Sequence, residues 1–285
     1  MKMTHVFEGK IAVVTGGASG IGRALCEELA QHRAAMIVVS DIDRPRALQV
    51  AGEISASGGQ ADARYVDVSQ QESVQALIDS VVADFGCVDY MFNNAGITIC
   101  GEVRDMGLLH WQRVLDIDLW GVIYGTLAAY QVMLEQGHGH IVNIASLDGL
   151  APMPMSTPYT AAKHGVVGLS TALRLEAAEL GIKVSVACPG AVRTEVFDRA
   201  AYVGVDAEAV KRDMMAEFKM MEPAECARNT LRGVARNQNI ILDGAPHNRV
   251  FWWVHRLSPD LYGKLMSVGA DFVRKHRDVA SRTLR

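Results

Sequence analysis

Short apolar runs rich in β-branched residues punctuate the chain: IAVVT at 11–15, MIVVS at 36–40, VDYMF at 88–92, HIVNIAS at 140–146 and KVSVAC at 183–188, with a weaker one, ARYVDV, at 63–68. Between them stand stretches such as ALCEELAQH, SVQALIDSVVADF and GLSTALRLEAAEL, whose apolar positions recur at helical spacing. Strand and helix therefore alternate over most of the chain. Such alternation predicts right-handed β-α-β units, and strands this uniformly apolar predict a parallel sheet covered by helices on both faces. No linker or repeat interrupts the pattern, so the expectation is one α/β domain over 1–245, a doubly wound parallel sheet, followed by a helical extension over 246–285.

The first run ends in Thr15-Gly16-Gly17-Ala18-Ser19-Gly20-Ile21-Gly22, and a helical pattern begins near Arg23. Glycines at a strand-to-helix turn let the backbone bend sharply and approach a pyrophosphate, whose charge the helix amino terminus favours. Gly16, Ser19, Gly20, Ile21 and Gly22 are thus candidate dinucleotide contacts, and the sheet reads as Rossmann-type. Asp41 closes the second run, where a carboxylate accepts hydrogen bonds from the adenosine ribose hydroxyls and repels a 2′-phosphate. NAD is favoured over NADP, with Arg44 and Arg46 just downstream as the residues that could reverse the preference.

Tyr159 and Lys163 stand four apart in PYTAAKHGVVGLSTALRLEAAEL, a segment that reads as a long helix opened by Pro158. That spacing sets both side chains on one face. An ammonium beside a phenol favours the phenolate, lowering a tyrosine from about 10 toward working pH, so Tyr159 can exchange a proton with an alcohol oxygen. Ser146, at the end of a strand-like run, is placed to steady the same oxygen. Singly these residues are ordinary: a Tyr-x-x-x-Lys pair is commonly a surface helix pair, and a serine after a strand commonly caps a turn. Their order behind a dinucleotide turn is what points to hydride and proton transfer at a carbinol or carbonyl carbon.

With these residues in this order the chain resembles the short-chain dehydrogenase/reductase family, in the branch whose glycine pattern is T-G-x-x-x-G-x-G, over about residues 8–243. The resemblance implies that Asp67 and Val68 border the adenine and that Asn93-Asn94-Ala95-Gly96 steadies the sheet and the cofactor ribose. It implies that Pro189, Gly190, Val192 and Thr194 hold the nicotinamide carboxamide. It also implies a mobile lid at 194–221, and homodimers or homotetramers joined through helices at about 108–136 and 157–180. One departure matters. Where the family has a catalytic asparagine in W-x-x-V-x-x-V-N-L, this chain reads Trp111-Gln112-Arg113-Val114-Leu115-Asp116-Ile117-Asp118-Leu119. Asp118 is nearly isosteric with asparagine and keeps the backbone part of a proton relay, but it brings a carboxyl group near Lys163.

The stretch after Thr194 carries Val196, Phe197, Tyr202, Met214, Met215, Phe218, Met220 and Met221, and Met153 and Met155 follow Ser146. Methionines adapt to irregular apolar shapes, which points to a bulky apolar alcohol or ketone, steroid-like, terpenoid or aromatic; the same residues would equally seal helices to the core. From about Pro246 the chain leaves the family's usual ending. Phe251, Trp252, Trp253, Leu257 and Leu261 form a candidate apolar face, and Arg249 to Arg285 holds eight Arg or Lys against three Asp, a local charge of +5. Packing on the same subunit, packing across an oligomer interface and resting on a membrane surface are all open. Protein packing is favoured because Pro259 interrupts already short helices.

Bulk properties narrow the partners more than the fold. At 285 residues, 49% hydrophobic and 21% charged, the chain suits a globular enzyme with a sizeable core. A net charge of −4 gives no general attraction to nucleic acid or acidic membranes. The five cysteines, Cys26, Cys87, Cys100, Cys188 and Cys226, show no paired C-x-x-C and no metal-type histidine spacing, so reduced thiols and no metal are expected. MKMTHVFEGK at the amino terminus has no continuous apolar stretch after its lysines, and the expectation is a cytoplasmic, non-spanning protein. The leading reading is an NAD-dependent oxidoreductase interconverting a secondary alcohol and a ketone. A dinucleotide-binding protein without turnover, or an isomerase or dehydratase on the same scaffold, are the alternatives.

Overall fold

The computed structural model describes residues 4–217, 220–243 and 246–274. In chain order the strands are β1 (Ile11–Thr15), β2 (Met36–Asp41), β3 (Ala61–Tyr65), β4 (Tyr90–Asn93), β5 (Ile99–Gly101), β6 (Gly139–Ile144), β7 (Ile182–Cys188), β8 (Ala201–Val203) and β9 (Ile240–Leu242). All but β5 and β8 join one seven-stranded sheet in the order β3-β2-β1-β4-β6-β7-β9, every pair parallel. This is the doubly wound Rossmann-type sheet that the alternation predicts.

Side chains alternate across the sheet with period two, so each apolar run feeds two cores. Val14, Val39, Phe92 and Val142 pack with Leu25, Leu29, Val50, Ile54 and Leu231, from the helices Gly20–Gln31, Arg44–Ala56 and Pro223–Ala235. Their neighbours Val13, Val38, Met91 and Ile141 pack on the opposite face with Leu77, Ile78, Val81, Ala129 and Met133. Covering both faces is what permits strands without a polar side. The strand order reverses between β1 and β4, and the crevice beyond their carboxyl ends is where such sheets bind ligands.

On the second face lies Leu108–Gln136, a helix of 29 residues long and apolar enough to cross a membrane by length and composition. Here it is a core helix: Val122, Gly125, Ala128, Ala129 and Met133 are buried, and it packs on β4, β6 and the helices Gln71–Phe85 and Thr157–Glu176. A buried polar chain crosses from it into the sheet. Asn93 Nδ2 donates to Asn143 Oδ1 at 2.8 Å and to Thr126 Oγ1 at 3.3 Å, and Asn143 Nδ2 donates to Ser170 Oγ at 2.9 Å. These hydrogen bonds tie four elements together around the site.

Beyond β9 the helices Pro246–Leu257 and Pro259–Arg274 fold back on the same chain. Tyr262 is buried against Leu147 and Ala151, its hydroxyl donates to Pro152 O at 3.1 Å, and His255 Nδ1 meets Leu150 O at 3.0 Å. The expected single apolar face is split: Phe251 and Trp252 pack inward, whereas Trp253, Leu257 and Leu261 are half or more exposed. Residues 275–285, which carry half of the basic residues of this extension, lie outside the described residues. The sequence pattern did not show β5, β8 and β9, because three residues are too few to display a period.

Candidate active site

All strands of a parallel sheet end at the same edge, so the loops after them meet there, and the candidate residues collect at that edge for this reason. Gly16 and Gly20, in the turn after β1, have φ of 64° and 52°, which glycine takes without strain. A Cβ on Gly22 would lie 2.1 Å from the Gly16 carbonyl oxygen and 2.5 Å from Asn94 Nδ2, so no larger residue fits. The helix that starts at Gly20 has Ser19 as its cap residue, yet the Ser19 side chain makes no capping bond. The N–H groups of its first turn, including those of Ile21 and Gly22, are therefore not capped by that side chain, with the helix dipole behind them. This cradle fits the pyrophosphate of a dinucleotide.

Asp41 ends β2, where its Oδ2 accepts from Ala18 N–H at 3.0 Å and its Oδ1 from Asp43 N–H at 2.9 Å, holding the carboxylate against the glycine turn. Asp67 and Val68 follow β3; Asp67 Oδ1 accepts from the Ser69 hydroxyl at 2.7 Å, and Val68 is buried beneath Gly121. After β4, Asn94 Nδ2 donates to Thr15 O at 3.0 Å, while the N–H groups of Asn94 and Ala95 donate to Thr15 Oγ1 at 3.0 and 3.2 Å. After β7, Pro189 and Gly190 lead to Val192, which pairs with Met221, and to Thr194, whose methyl would meet a Cβ on Gly20 at 3.1 Å. The turn after β1 and the segment after β7 thus pack directly against each other.

Arg46 is engaged rather than free. Its guanidinium forms two hydrogen bonds to Glu195, at 2.8 and 2.7 Å, and Glu195 also pairs with Arg199 at 2.7 Å. Arg44 is exposed at the start of its helix.

Ser146 follows β6, and Tyr159 and Lys163 occupy successive turns of the helix Thr157–Glu176, which carries Pro158 in its first turn. Lys163 Nζ lies 5.3 Å from the centre of the Tyr159 ring, donates to Ile144 O at 3.2 Å and stands 3.2 Å from Asp118 Oδ2. Asp118 sits in a widened π-helical turn, Asp116–Trp120, fully buried, and its Oδ1 accepts from Ile97 N–H at 2.9 Å. Such turns re-aim side chains at functional positions. A Cβ on Gly96 would lie 2.9 Å from Asp118 Oδ2 and 3.4 Å from Lys163 Nζ, so glycine is what lets the segment after β4 approach this pair.

The electrostatics differ from the simple Tyr-Lys expectation. Burial pushes the Asp118 carboxyl above the usual range, against the pull of Lys163. The Tyr159 phenol is also held up, first by burial, then by Asp118 and Asp148, with the Ser146 hydroxyl opposing. Lys163 alone does not bring the phenol toward neutrality, because the ammonium shares its field with a buried carboxyl group 3.2 Å away.

Residues that spacing did not reveal complete the surroundings: Asn248 against Gly190, Glu195 on Arg46, and Asp148 beside Tyr159. Their partners lie far off in sequence, so no local pattern marks them. On the substrate side, β5 and β8 pair Cys100 with Tyr202, and the Tyr202 hydroxyl donates to Phe197 O at 2.9 Å. Met153, Met155, Val196, Met220 and Met221 are partly buried around this end, while the side chains of Met214, Met215 and Phe218 lie outside the described residues.

A doubly wound sheet with a glycine cradle at β1 and a Ser-Tyr-Lys set after β6 defines a nicotinamide-dependent oxidoreductase scaffold. The family model for short chain dehydrogenase matches residues 10–201, and the chain belongs to that family. The Mycobacterium tuberculosis protein SadH, named as an oxidoreductase, is 36% identical over 266 residues, covering 92% of this chain and 96% of that one. A cyclohexanol dehydrogenase of an Acinetobacter species is 39% identical over 198 residues, covering 68% and 78%. A short chain dehydrogenase/reductase from Burkholderia phymatum, solved in complex with NAD, superimposes with a TM-score of 0.82 at 29% identity, covering 90% of this chain and 95% of that one.

Proposed function

We propose that the chain is an NAD-dependent enzyme that interconverts a bulky, mainly apolar secondary alcohol and its ketone, with Tyr159 moving the proton. The observation that carries this is the convergence of Ser146, Tyr159 and Lys163 beside the cradle of Gly16, Gly20 and Gly22. The cofactor, when bound, supplies the hydride acceptor or donor. Ser146 steadies the substrate oxygen, Tyr159 takes or returns its proton, and Lys163 holds positive charge beside the phenol. Gly16, Ser19, Gly20, Ile21 and Gly22 take the pyrophosphate, Asp41 the adenosine ribose, Asp67 and Val68 the adenine, Asn94, Ala95 and Gly96 the second ribose, and Pro189, Gly190, Val192 and Thr194 the carboxamide. An apolar substrate is supported by the methionines around the cleft, and by relatives named for cyclohexanol and for hydroxysteroids.

Exposed Leu108, Leu109, Trp120, Leu127 and Leu175 support a homodimer or homotetramer built on the two long helices, and the boundary between catalytic domain and extension is placed near residue 245. A cytoplasmic site of action is part of the same reading. The test is NADH formation by the purified protein with NAD or NADP across steroidal, terpenoid, aromatic and short-chain alcohols. Higher kcat/KM for short polar alcohols than for large apolar ones would overturn the substrate class.

Two further outcomes are expected. Glu195→Gln releases Arg46 toward a 2′-phosphate; at about 0.5–1 kcal/mol for an exposed ion pair, NADP use relative to NAD rises about two- to fivefold. An unchanged ratio of kcat/KM for the two cofactors would remove Glu195 from cofactor choice. Asp118→Asn keeps an acceptor for Ile97 N–H and removes a carboxyl that holds the Tyr159 phenol up. Activity is retained, and the rise of alcohol oxidation with pH moves to lower pH. An unmoved profile, or loss of folded active enzyme, would contradict this.

A further inference from the structure

The substrate end of the cleft holds a titratable group that the proton transfer does not use. Asp148 lies in the short turn Leu147–Gly149 directly after Ser146, and its backbone N–H donates to Ser146 Oγ at 3.1 Å. The carboxylate is therefore fixed relative to the hydroxyl that meets the reacting oxygen. Its Oδ2 accepts from Ser156 Oγ at 3.1 Å, whereas Oδ1 has no protein donor among the described residues. The carboxyl acts electrostatically on Tyr159, on Cys100 of β5 and on Tyr262 of the last helix, and Lys163 acts on it, so groups from separate elements lie within its field. Burial raises its pKa to about 6, against the effects of Ser156 and Lys163.

An acceptor oxygen on a half-buried side chain is unfavourable unless a donor reaches it. The proton chemistry gives it no task, and its charge opposes ionisation of Tyr159. We propose that Asp148 is a specificity residue that accepts a hydrogen bond from a second donor on the substrate, a hydroxyl or an ammonium, carried beside the reacting carbinol. This rests on the oxidoreductase reading above and refines its substrate class: an apolar body with a vicinal polar group.

The experiment compares kcat/KM for cyclohexanol, trans-cyclohexane-1,2-diol and trans-2-aminocyclohexanol, with NAD, in the wild type, Asp148→Leu and Asp148→Asn. The wild type is expected to favour the diol or the amino alcohol over cyclohexanol by about tenfold or more, the range of a hydrogen bond to a charged group. Asp148→Leu should abolish that ratio while cyclohexanol turnover persists, a change that a merely structural role, lowering all three alike, does not produce. Asp148→Asn keeps an acceptor, so a diol preference that survives it identifies a hydroxyl, and an amino-alcohol preference that it abolishes identifies an ammonium. If Asp148→Leu does not fold, as read by melting temperature and NAD binding, Asp148→Asn, which keeps the Ser156 contact but removes the charge, is read for loss of the amino-alcohol preference. Cyclohexanol turnover with no preference in the wild type, or a preference untouched in both variants, overturns the assignment of Asp148 alone. Turnover of none of the three, nor of the wider alcohol panel, overturns the proposed function and this inference with it.

Discussion

Tyr159→Phe is expected to lower kcat for alcohol oxidation about a hundred- to ten-thousandfold, the contribution of a positioned acid–base group, while the Kd for NAD and the melting temperature barely move. In free-energy terms the loss is about 3–5 kcal/mol of transition-state stabilisation. The phenol is the group next to Ser146 on the Lys163-bearing face of its helix, and the ring, which packs with Ile99, Val114 and Ala162, is retained in the variant. Ser146 Oγ keeps the Asp148 N–H as a donor, so removing the phenol hydroxyl leaves that serine partnered. Stopped-flow and steady-state rates with NAD, beside calorimetric NAD binding, separate chemistry from binding. A variant with near-wild-type kcat would remove Tyr159 from proton transfer; one that also fails to bind NAD would show that the ring shapes the cofactor cleft instead.

Lys163→Met should be the most damaging single change to stability at this site. Asp118 is completely buried with Lys163 Nζ at 3.2 Å as its cationic partner, and stripping one member of such a pair costs about 3–5 kcal/mol. The remaining carboxyl would be driven further up by burial with no cation to oppose it. Since its folded pKa then exceeds the unfolded value of about 3.9, the penalty is full above the folded pKa and fades as pH falls toward the unfolded one. Urea unfolding at several pH values reads this directly. The double variant with Asp118→Asn should recover most of the lost stability but no turnover, because the charge beside the phenol is still missing. Equal stability of the single and double variants would mean that the buried Asp118 carboxyl carries no penalty once Lys163 is gone, against this account.

Much of the scaffold was legible along the chain. IAVVT, MIVVS and HIVNIAS became β1, β2 and β6 because apolar runs that alternate between two covered faces have few other uses. The glycine turn was legible because Gly22 has atoms of Gly16 and Asn94 where a Cβ would go, a steric demand that shows as residue type. Tyr159 and Lys163 were legible because helical geometry alone sets residues four apart on one face. The Asp118 departure was visible too, although its consequence was not: only packing shows that both charges are buried and that the phenol is held up rather than drawn down.

What the sequence by itself determined is therefore whatever depends on periods of two and 3.6 and on the backbone needs of glycine. Tertiary structure decided the rest: that Glu195 occupies Arg46, that the extension turns Trp252 inward and Trp253 outward, and that Asp148 is fastened to both Ser146 and Ser156. Most of those contacts join residues far apart in the chain, and their energies depend on burial and on neighbouring charge, quantities that exist only once the strands have brought their carboxyl ends to one edge.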